Sequence, residues 1–171
     1  MPSLLRTDKE IIEIYKRHAD TVFYVCYSFM KNRPEAEDMM QETFLQLIST
    51  GKIFENERHE KAWLIVTASN LCKNSLKRYW RREESIEDNP SLAEKVSASD
   101  NEVLEAILAL PRDYKTVVYM YYYEGYSTAE IAKHLNCPHA TVRTRLVRAR
   151  KLLKTMLGGE TDDKTASTGS L

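Results

Sequence analysis

The sequence predicts an all-α protein of two small helical domains joined by a flexible acidic linker, with a helix-turn-helix in the second domain. Apolar residues recur at helical spacing through most of the 171-residue chain. This periodicity stops between residues 84 and 100, where acidic and small residues dominate, as is typical of a linker. We therefore expect a first domain at residues 8–83, a linker at 84–100, a second domain at 101–157 and a disordered tail at 158–171.

The first helix is predicted over residues 10–30, and the second follows a break at Asn32-Arg33-Pro34. The first helix has one apolar face that should be buried, formed by Ile11, Tyr15, Ala19, Val22, Cys26 and Phe29. The second helix has a stripe of its own, formed by Ala36, Met40, Thr43, Phe44 and Leu47. Asp38, Gln41 and Glu42 remain on its open side. A solvated face is the default interpretation of these three residues, and their charge alone identifies no partner.

The third helix is predicted from near Lys61 to about Arg82, after Gly51 and a polar loop led by Phe54. Its expected core residues are Trp63, Leu64, Ala68, Leu71 and Cys72. Its surface carries amides and cations, namely Asn70, Lys73, Asn74, Lys77 and Arg78. From Lys61 to Arg82 there are six basic residues and no acidic one, and basic residues interleaved with aromatic ones suit single-stranded nucleic acid. The alternative is helix packing, which we prefer for Trp63; for the basic face we prefer nucleic acid.

The second domain is predicted to begin with two helices separated by Pro111. The apolar residues of the first are Val103, Ile107 and Leu110, and those of the second are Tyr114, Val117, Val118 and Tyr121. Gly125 closes the second of these helices. The tyrosines at positions 119 and 121–123 are more typical of helix packing than of base stacking, so we expect them in the interior.

Residues 127–154 predict two helices around a tight turn. Ser127 and Glu130 fit a capping box, in which the two side chains satisfy free amides at a helix start. Ile131, Ala132 and Leu135 should be buried, and the turn at Asn136-Cys137-Pro138 should end the first of the two helices. Asn136 tolerates a left-handed backbone, and Pro138 suits a position at or beside the start of the next helix. This pattern is a helix-turn-helix.

The second helix of this motif should bury Val142, Leu146, Ala149 and Leu153. That phase turns Thr144, Val147, Arg148 and Lys151 outward, with Arg143 and Arg145 at the edges of the exposed face. From Arg143 to Lys154 there are six basic residues and no acidic one. Such a helix enters the DNA major groove, where arginine pairs with guanine and neutralises phosphate. The alternative is a solvated surface helix; we favour DNA because cap, turn and charge agree.

Composition excludes several classes of function. The formal net charge is zero, but the charge is segregated: residues 83–100 hold six acidic residues and one basic residue. The chain shows no nucleophile–base pair, no glycine-rich phosphate loop and no metal-ligand spacing of its histidines and cysteines. We therefore expect no catalytic residue, no metal, no cofactor and no enzymatic activity. Neither a secretory signal nor an apolar run long enough to span a membrane is present, so we expect a cytoplasmic protein with reduced cysteines.

Four short segments resemble a known family over about residues 10–156. They are residues 36–44 (AEDMMQETF), residues 62–64 with 68–71 (AWL and ASNL), residues 109–111 with 123–127 (ALP and YEGYS), and residues 141–146 with 148–150 (TVRTRL and RAR). In this order they resemble the extracytoplasmic-function (ECF) class of sigma factors, which belong to the sigma-70 family of bacterial RNA polymerase. The resemblance implies a region 2-like first domain and a region 4-like second domain.

The resemblance also implies roles for individual residues. Core RNA polymerase would be bound by Asp38, Gln41 and Glu42. The −10 promoter element would be read and opened by Phe54, Asn70, Lys73, Asn74, Lys77 and Arg78. The −35 element would be read by Thr141, Arg143, Thr144, Arg145, Arg148 and Lys151.

The partners implied are therefore core RNA polymerase, promoter DNA in double- and single-stranded form, and an anti-sigma factor. The acidic linker would pass through the RNA exit path of the polymerase. An alternative is a stand-alone helix-turn-helix regulator, which would bind its operator unaided and usually as a dimer. The sequence shows neither a dimer zipper nor a ligand pocket that would favour this alternative.

Overall fold

The computed structural model describes residues 6–83 and 102–158, which form α-helices and no strand. The helices are α1 (Asp8–Met30), α2 (Arg33–Thr50), α3 (Glu57–Glu83), α4 (Glu102–Leu108), α5 (Arg112–Val118), α6 (Thr128–Leu135) and α7 (His139–Met156). A π-helical turn, Tyr119–Tyr123, extends α5. The all-α fold with a C-terminal helix-turn-helix is thus confirmed. The predicted linker, and the predicted tail beyond Gly158, lie outside the described residues.

Local sequence signals set the helix ends. Thr7 and Glu10 form a full capping box at the start of α1. The side chain of Asn32 accepts a hydrogen bond from the Glu35 N–H at the start of α2, and Gly51 follows that helix in the left-handed region. Asn136 takes the left-handed conformation that we predicted, with φ of 51°.

The first domain packs α1, α2 and α3 against one another. The predicted stripes are largely confirmed, because Val22, Cys26, Phe29, Ala36, Thr43, Phe44, Leu47, Leu64, Ala68 and Cys72 are buried. Tyr15 is an exception: it is 44% exposed and lies over Phe44, with 4.9 Å between ring centroids. Trp63 is half-buried and packs on Phe54, which agrees with the packing role that we preferred for it.

A polar cluster that the sequence did not suggest joins α1 to the start of α3. Glu60 is 7% exposed, and its Oε1 lies 2.8 Å from both Arg17 Nη2 and His18 Nε2. A buried carboxylate with two such partners keeps its hydrogen-bonding capacity satisfied. This cluster fixes the N-terminal end of α3 and therefore the end of the polar loop that leads into it.

The second domain packs α5 and α6 against α7. Its interior contains Val117, Ile131, Val142, Leu146 and Ala149, so the predicted phase of α7 is confirmed. The prediction for the tyrosines is only partly right. Tyr122 and Tyr123 are 50% and 55% exposed, and both lie in the π-helical turn, whose side-chain spacing differs from that of an α-helix.

The two domains also contact each other. The buried apolar residues of both form one continuous cluster, to which α1 and α3 contribute from the first domain and α5 and α6 from the second. The sequence predicted two domains joined by a linker, but it did not predict these contacts between them. This closed arrangement positions the surfaces described next.

Candidate nucleic-acid interface

The open face of α2 carries the three polar residues that the sequence singled out. Asp38, Gln41 and Glu42 are all exposed. Leu45 and Ile48, one and two turns further along the same face, are 56% and 37% exposed. An apolar pair beside acidic residues on a helix surface is typical of a protein-binding face. Leu45 and Ile48 were not predicted as part of this face, although neither belongs to the apolar stripe of α2.

The face of α3 that we predicted to meet nucleic acid is exposed over most of its length. Asn70, Asn74, Lys77 and Arg78 lie on it at helical spacing, and all four are exposed. Amides can donate to and accept from a base edge, and cations neutralise phosphate. The structure therefore brings these four predicted residues together on one surface.

Lys73 and Phe54 lie apart from that surface. Lys73 is half-buried toward the second domain, where burial lowers the pKa of its ammonium; Asp113 opposes that shift and Arg145 adds to it. Phe54 packs on Trp63 and His59, with centroid distances of 5.7 and 5.4 Å. In the loop between α2 and α3, which contains Phe54, the most exposed apolar side chain is instead that of Ile53, which is 78% exposed.

The exposed face of α7 matches the predicted recognition surface. Arg143, Thr144, Arg148 and Lys151 are exposed, whereas Thr141 and Arg145 are half-buried. Thr141, Thr144, Arg145 and Arg148 line a groove of about 430 Å³ between α7 and the start of α5. The six predicted residues are therefore contiguous, and a row of cations at helical spacing can follow a groove of DNA.

Arg150 is exposed, but its guanidinium is bonded to a tyrosine of the protein itself. Its Nε donates to the Tyr122 hydroxyl at 2.5 Å, and its guanidinium lies 5.8 Å from the centres of the Tyr121 and Tyr122 rings. That hydrogen bond raises the pKa of Arg150. One of the six cations counted in this helix therefore stabilises the π-helical turn.

A further groove, of about 920 Å³, lies between the two domains. Its walls carry cations from both domains, including Lys73, Lys77, Arg112 and Lys115, and acidic groups including Asp38. Within residues 6–83 and 102–158, no group of three His, Cys, Asp or Glu side chains is arranged to hold a metal ion. No helix in those ranges is both long and apolar enough to cross a membrane.

Comparison with known proteins identifies the two domains. The family profile described as Sigma-70 region 2 matches residues 14–82, and the profile described as Sigma-70, region 4 matches residues 100–153. This chain belongs to the ECF sigma factors of the sigma-70 family. A sigma factor directs promoter-specific transcription initiation by RNA polymerase, so the stand-alone regulator that we considered as an alternative is wrong.

Curated relatives cover nearly all of this sigma factor. The ECF RNA polymerase sigma factor SigW of Bacillus subtilis (strain 168) is 29% identical over 166 residues, which cover 86% of this chain and 87% of that protein. The RNA polymerase sigma factor SigV of the same organism is 29% identical over 147 residues, covering 84% of this chain and 88% of that protein.

Solved structures show the same fold. The sigma factor RpoE of Bartonella quintana, solved in complex with the anti-sigma factor NepR, is similar with a TM-score of 0.70 at 21% identity, covering 89% of this chain and 99% of that one. CnrH, solved in complex with the cytosolic domain of CnrY, gives a TM-score of 0.62 at 19% identity. The match covers 89% of this chain and 90% of that one.

Proposed function

We propose that the exposed face of α2 binds core RNA polymerase through Asp38, Gln41 and Glu42. The observation that supports this role is that the face is not used inside the protein: its polar residues are exposed, and Leu45 remains 56% exposed beside them. Exposed apolar groups next to charges supply both contact area and specificity in a protein interface. Leu45 and Ile48 extend the proposed surface by one to two helical turns.

The first domain, residues 8–83, would read and open the −10 element through Asn70, Asn74, Lys77 and Arg78. Strand opening exposes base edges that amides can bind and phosphates that cations can neutralise. Phe54 and Lys73 also belong to this proposal. Since Phe54 packs on Trp63 and Lys73 faces the second domain, both need a local change before they can reach DNA.

The second domain, residues 101–157, would read the −35 element through α7. Thr144, Arg148 and Lys151 occupy the centre of its exposed face, with Arg143 at one edge and Thr141 and Arg145 at the other. An arginine in the major groove can donate two hydrogen bonds to guanine, which is the commonest base-specific contact. Residues 84–100 would act as the acidic linker, and residues 158–171 as a tail.

We further propose that this sigma factor acts in the cytoplasm, without catalytic residues of its own, and is held inactive by an anti-sigma factor. Two proteins of the same fold have been solved in complexes, one with the anti-sigma factor NepR and one with the cytosolic domain of CnrY. The groove between the domains offers both apolar and charged side chains to such a partner.

The experiment that tests this function compares three samples on a labelled promoter fragment in an electrophoretic shift assay: the chain alone, core polymerase alone, and both together. Because the two reading surfaces belong to a sigma factor, we expect a specific, heparin-resistant complex when both are present. A complex of equal affinity and specificity formed by the chain alone would contradict the proposal.

A further inference from the structure

The groove of about 920 Å³ between the two domains gathers five positively charged side chains. Two come from α3 and two from α5, and the fifth directly follows α1; they are Lys31, Lys73, Lys77, Arg112 and Lys115. Lys115 is only 4% exposed, so it lies at the bottom of the groove, where its Nζ donates to the carbonyl oxygen of Ser28. The packing of the domains thus brings together charges that are far apart in the sequence.

The four lysines of this group have no ion-pair partner in the parts of the chain that the structure describes. Burial lowers the pKa of Lys115 to about 7, and the charges of Lys31 and Arg112 add to this shift. Three carboxylates also line the groove but pair with none of these lysines, namely Glu35, Asp38 and Asp113. An ammonium group buried among other cations is costly unless an anion accompanies it. The bottom of the groove therefore suits a negatively charged ligand.

Another part of the groove is apolar and partly aromatic. This apolar wall is formed by Met30, Met39, Leu76, Tyr79 and Leu110. The ring of Tyr79 is 46% exposed, and a partly exposed ring offers a face on which a nucleobase can stack. Pockets for small ligands commonly measure about 300–1,000 Å³ and combine apolar walls with a few polar groups. The groove has both the size and the composition of such a pocket.

The chemistry of the cations favours phosphate groups. Ammonium and guanidinium groups bind phosphate oxygens through charge-assisted hydrogen bonds. Several cations around one groove suit a ligand with several negative charges better than a single carboxylate. Lys115 is too deeply buried to contact the backbone of a DNA duplex, which is bound by exposed side chains. A small anion can reach it, because Lys115 lines the groove.

We propose that the groove between the two domains binds an oligophosphate anion, with Lys31, Arg112 and Lys115 around the phosphates. Nucleotides and inorganic polyphosphate share this chemistry, and the apolar wall favours a nucleotide because it can contact the base. Since the cations belong to both domains, the bound anion contacts both at once. A ligand that binds only the folded protein raises its melting temperature by mass action.

The site is tested by isothermal titration calorimetry on the free full-length chain. The probes are ATP, GTP and inorganic tripolyphosphate, with adenosine as a ligand that lacks phosphate. We expect ATP or GTP to bind with a Kd below about 1 mM, more tightly than tripolyphosphate, and adenosine not to bind. Tripolyphosphate that binds as tightly as ATP would support the oligophosphate site and identify inorganic polyphosphate as its ligand.

Three substitutions of lysine by methionine show whether the binding belongs to the groove. Lys115→Met should weaken ATP binding at least tenfold, and Lys31→Met at least threefold. Lys9→Met removes one exposed charge at the start of α1, outside the groove, and should bind ATP as wild type does. ATP should also raise the melting temperature of wild type and of Lys9→Met, but not that of Lys115→Met. Circular dichroism checks the helix content of each variant, and the exposed position of Lys31 makes its variant the safer one for folding.

Two results would overturn the proposal. One is the absence of binding by all three phosphate probes, or binding that neither Lys31→Met nor Lys115→Met weakens. The other is a short DNA duplex that displaces ATP and is weakened equally by Lys115→Met, because the cations would then belong to a DNA surface. These measurements need neither polymerase nor a promoter, so their failure is separate from failure of the proposed function.

Discussion

Arg58 donates two hydrogen bonds to a single carboxylate oxygen of Glu130, from Nε at 3.0 Å and from Nη2 at 2.7 Å. Seventy-two residues separate these partners in the chain. The pattern Ser127-x-x-Glu130 predicts a reciprocal capping box, yet only half of it forms. The Ser127 hydroxyl accepts from the Glu130 N–H at 3.1 Å, while the Glu130 carboxylate accepts from Arg58 instead of the Ser127 amide. A residue expected to act locally thus joins the two domains.

The acidic face of α2 should matter for binding and not for stability. Asp38→Ala with Glu42→Ala should change the free energy of unfolding by less than about 0.5 kcal/mol, because both side chains are exposed. The affinity for core polymerase should fall at least tenfold, or about 1.4 kcal/mol. Leu45→Ala should act in the same direction. Asp20→Ala, an exposed acidic change on α1, is the control. Wild-type core affinity in the double variant would remove this face from the mechanism.

Substitutions in α7 should distinguish the cations that read bases from those that bind phosphate or stabilise the fold. Arg148→Ala should cost about 1–3 kcal/mol of −35 binding, with a loss that depends on the −35 sequence. Lys154→Ala should weaken all sequences alike. Arg150→Ala should instead lower thermal stability, because Arg150 is bonded to Tyr122. The measurement is a binding titration on −35 variants beside a melting curve, and equal losses on every variant for Arg148→Ala and Lys154→Ala would show that Arg148 is not a sequence reader.

Asn70 should act in strand opening. Its side chain is exposed, so Asn70→Ala should leave stability nearly unchanged while reducing permanganate reactivity of promoter thymines in the complex with core polymerase. Asn56→Ala is the matched control, since its side chain accepts from the His59 N–H at 2.8 Å at the start of α3. Losing that cap should cost about 1 kcal/mol of stability. Normal thymine reactivity with Asn70→Ala would exclude the opening role.

The closed arrangement should become more populated as pH rises. Closing lowers the pKa of Lys115 from 10.5 to about 7, so the closed state binds fewer protons than the open state between these values. The ratio of closed to open protein should therefore rise by up to tenfold per pH unit in this interval and be lowest, and constant, below about pH 7. Small-angle X-ray scattering between pH 7 and 9 measures this ratio through the radius of gyration. The variant Lys115→Met should remove the pH dependence.

Burial also lowers the pKa of Lys73 on α3, so Lys73→Met is measured beside Lys115→Met. The charges of Lys31 and Arg112 and the Cys72 thiol act on the pKa of Lys115. The other titratable groups that line the same groove are Glu35, Asp38, Lys73, Lys77 and Asp113. The hydrogen bond with Cys26, together with burial, raises the pKa of the Cys72 thiol, so it stays neutral. Burial and His59 lower the pKa of His134, which keeps it neutral above pH 7. If Lys115→Met leaves the pH dependence of the closed-to-open ratio unchanged, another titratable group causes that dependence.

The helices and the exposed faces could be predicted from sequence because they follow from local periodicity. The burial of Val142, Leu146 and Ala149 by itself turns Arg148 outward, whatever the rest of the chain does. The left-handed Asn136 is likewise a local property of an amide side chain beside its own backbone. These features needed no knowledge of tertiary contacts.

The contacts between the domains could not be predicted in this way. Lys115 lies in a run that reads as an ordinary helix surface, and its burial depends on Ser28, 87 residues earlier. Tyr122 and Tyr123 are exposed and lie in a π-helical turn, a feature that the apolar pattern of the sequence does not reveal. Lys73 was assigned with its α3 neighbours, yet it is half-buried toward the second domain, where burial lowers the pKa of its ammonium and the charges of Asp113 and Arg145 act on it.

Run-off transcription with purified core polymerase on genomic fragments tests sigma function most directly. Core polymerase alone should give no discrete transcripts, and adding this chain should give transcripts that start a fixed distance downstream of shared −35 and −10 sequences. The double variant Asp38→Ala/Glu42→Ala should reduce these products at limiting protein. Discrete transcripts that do not require the chain, or that it only represses, would contradict the account.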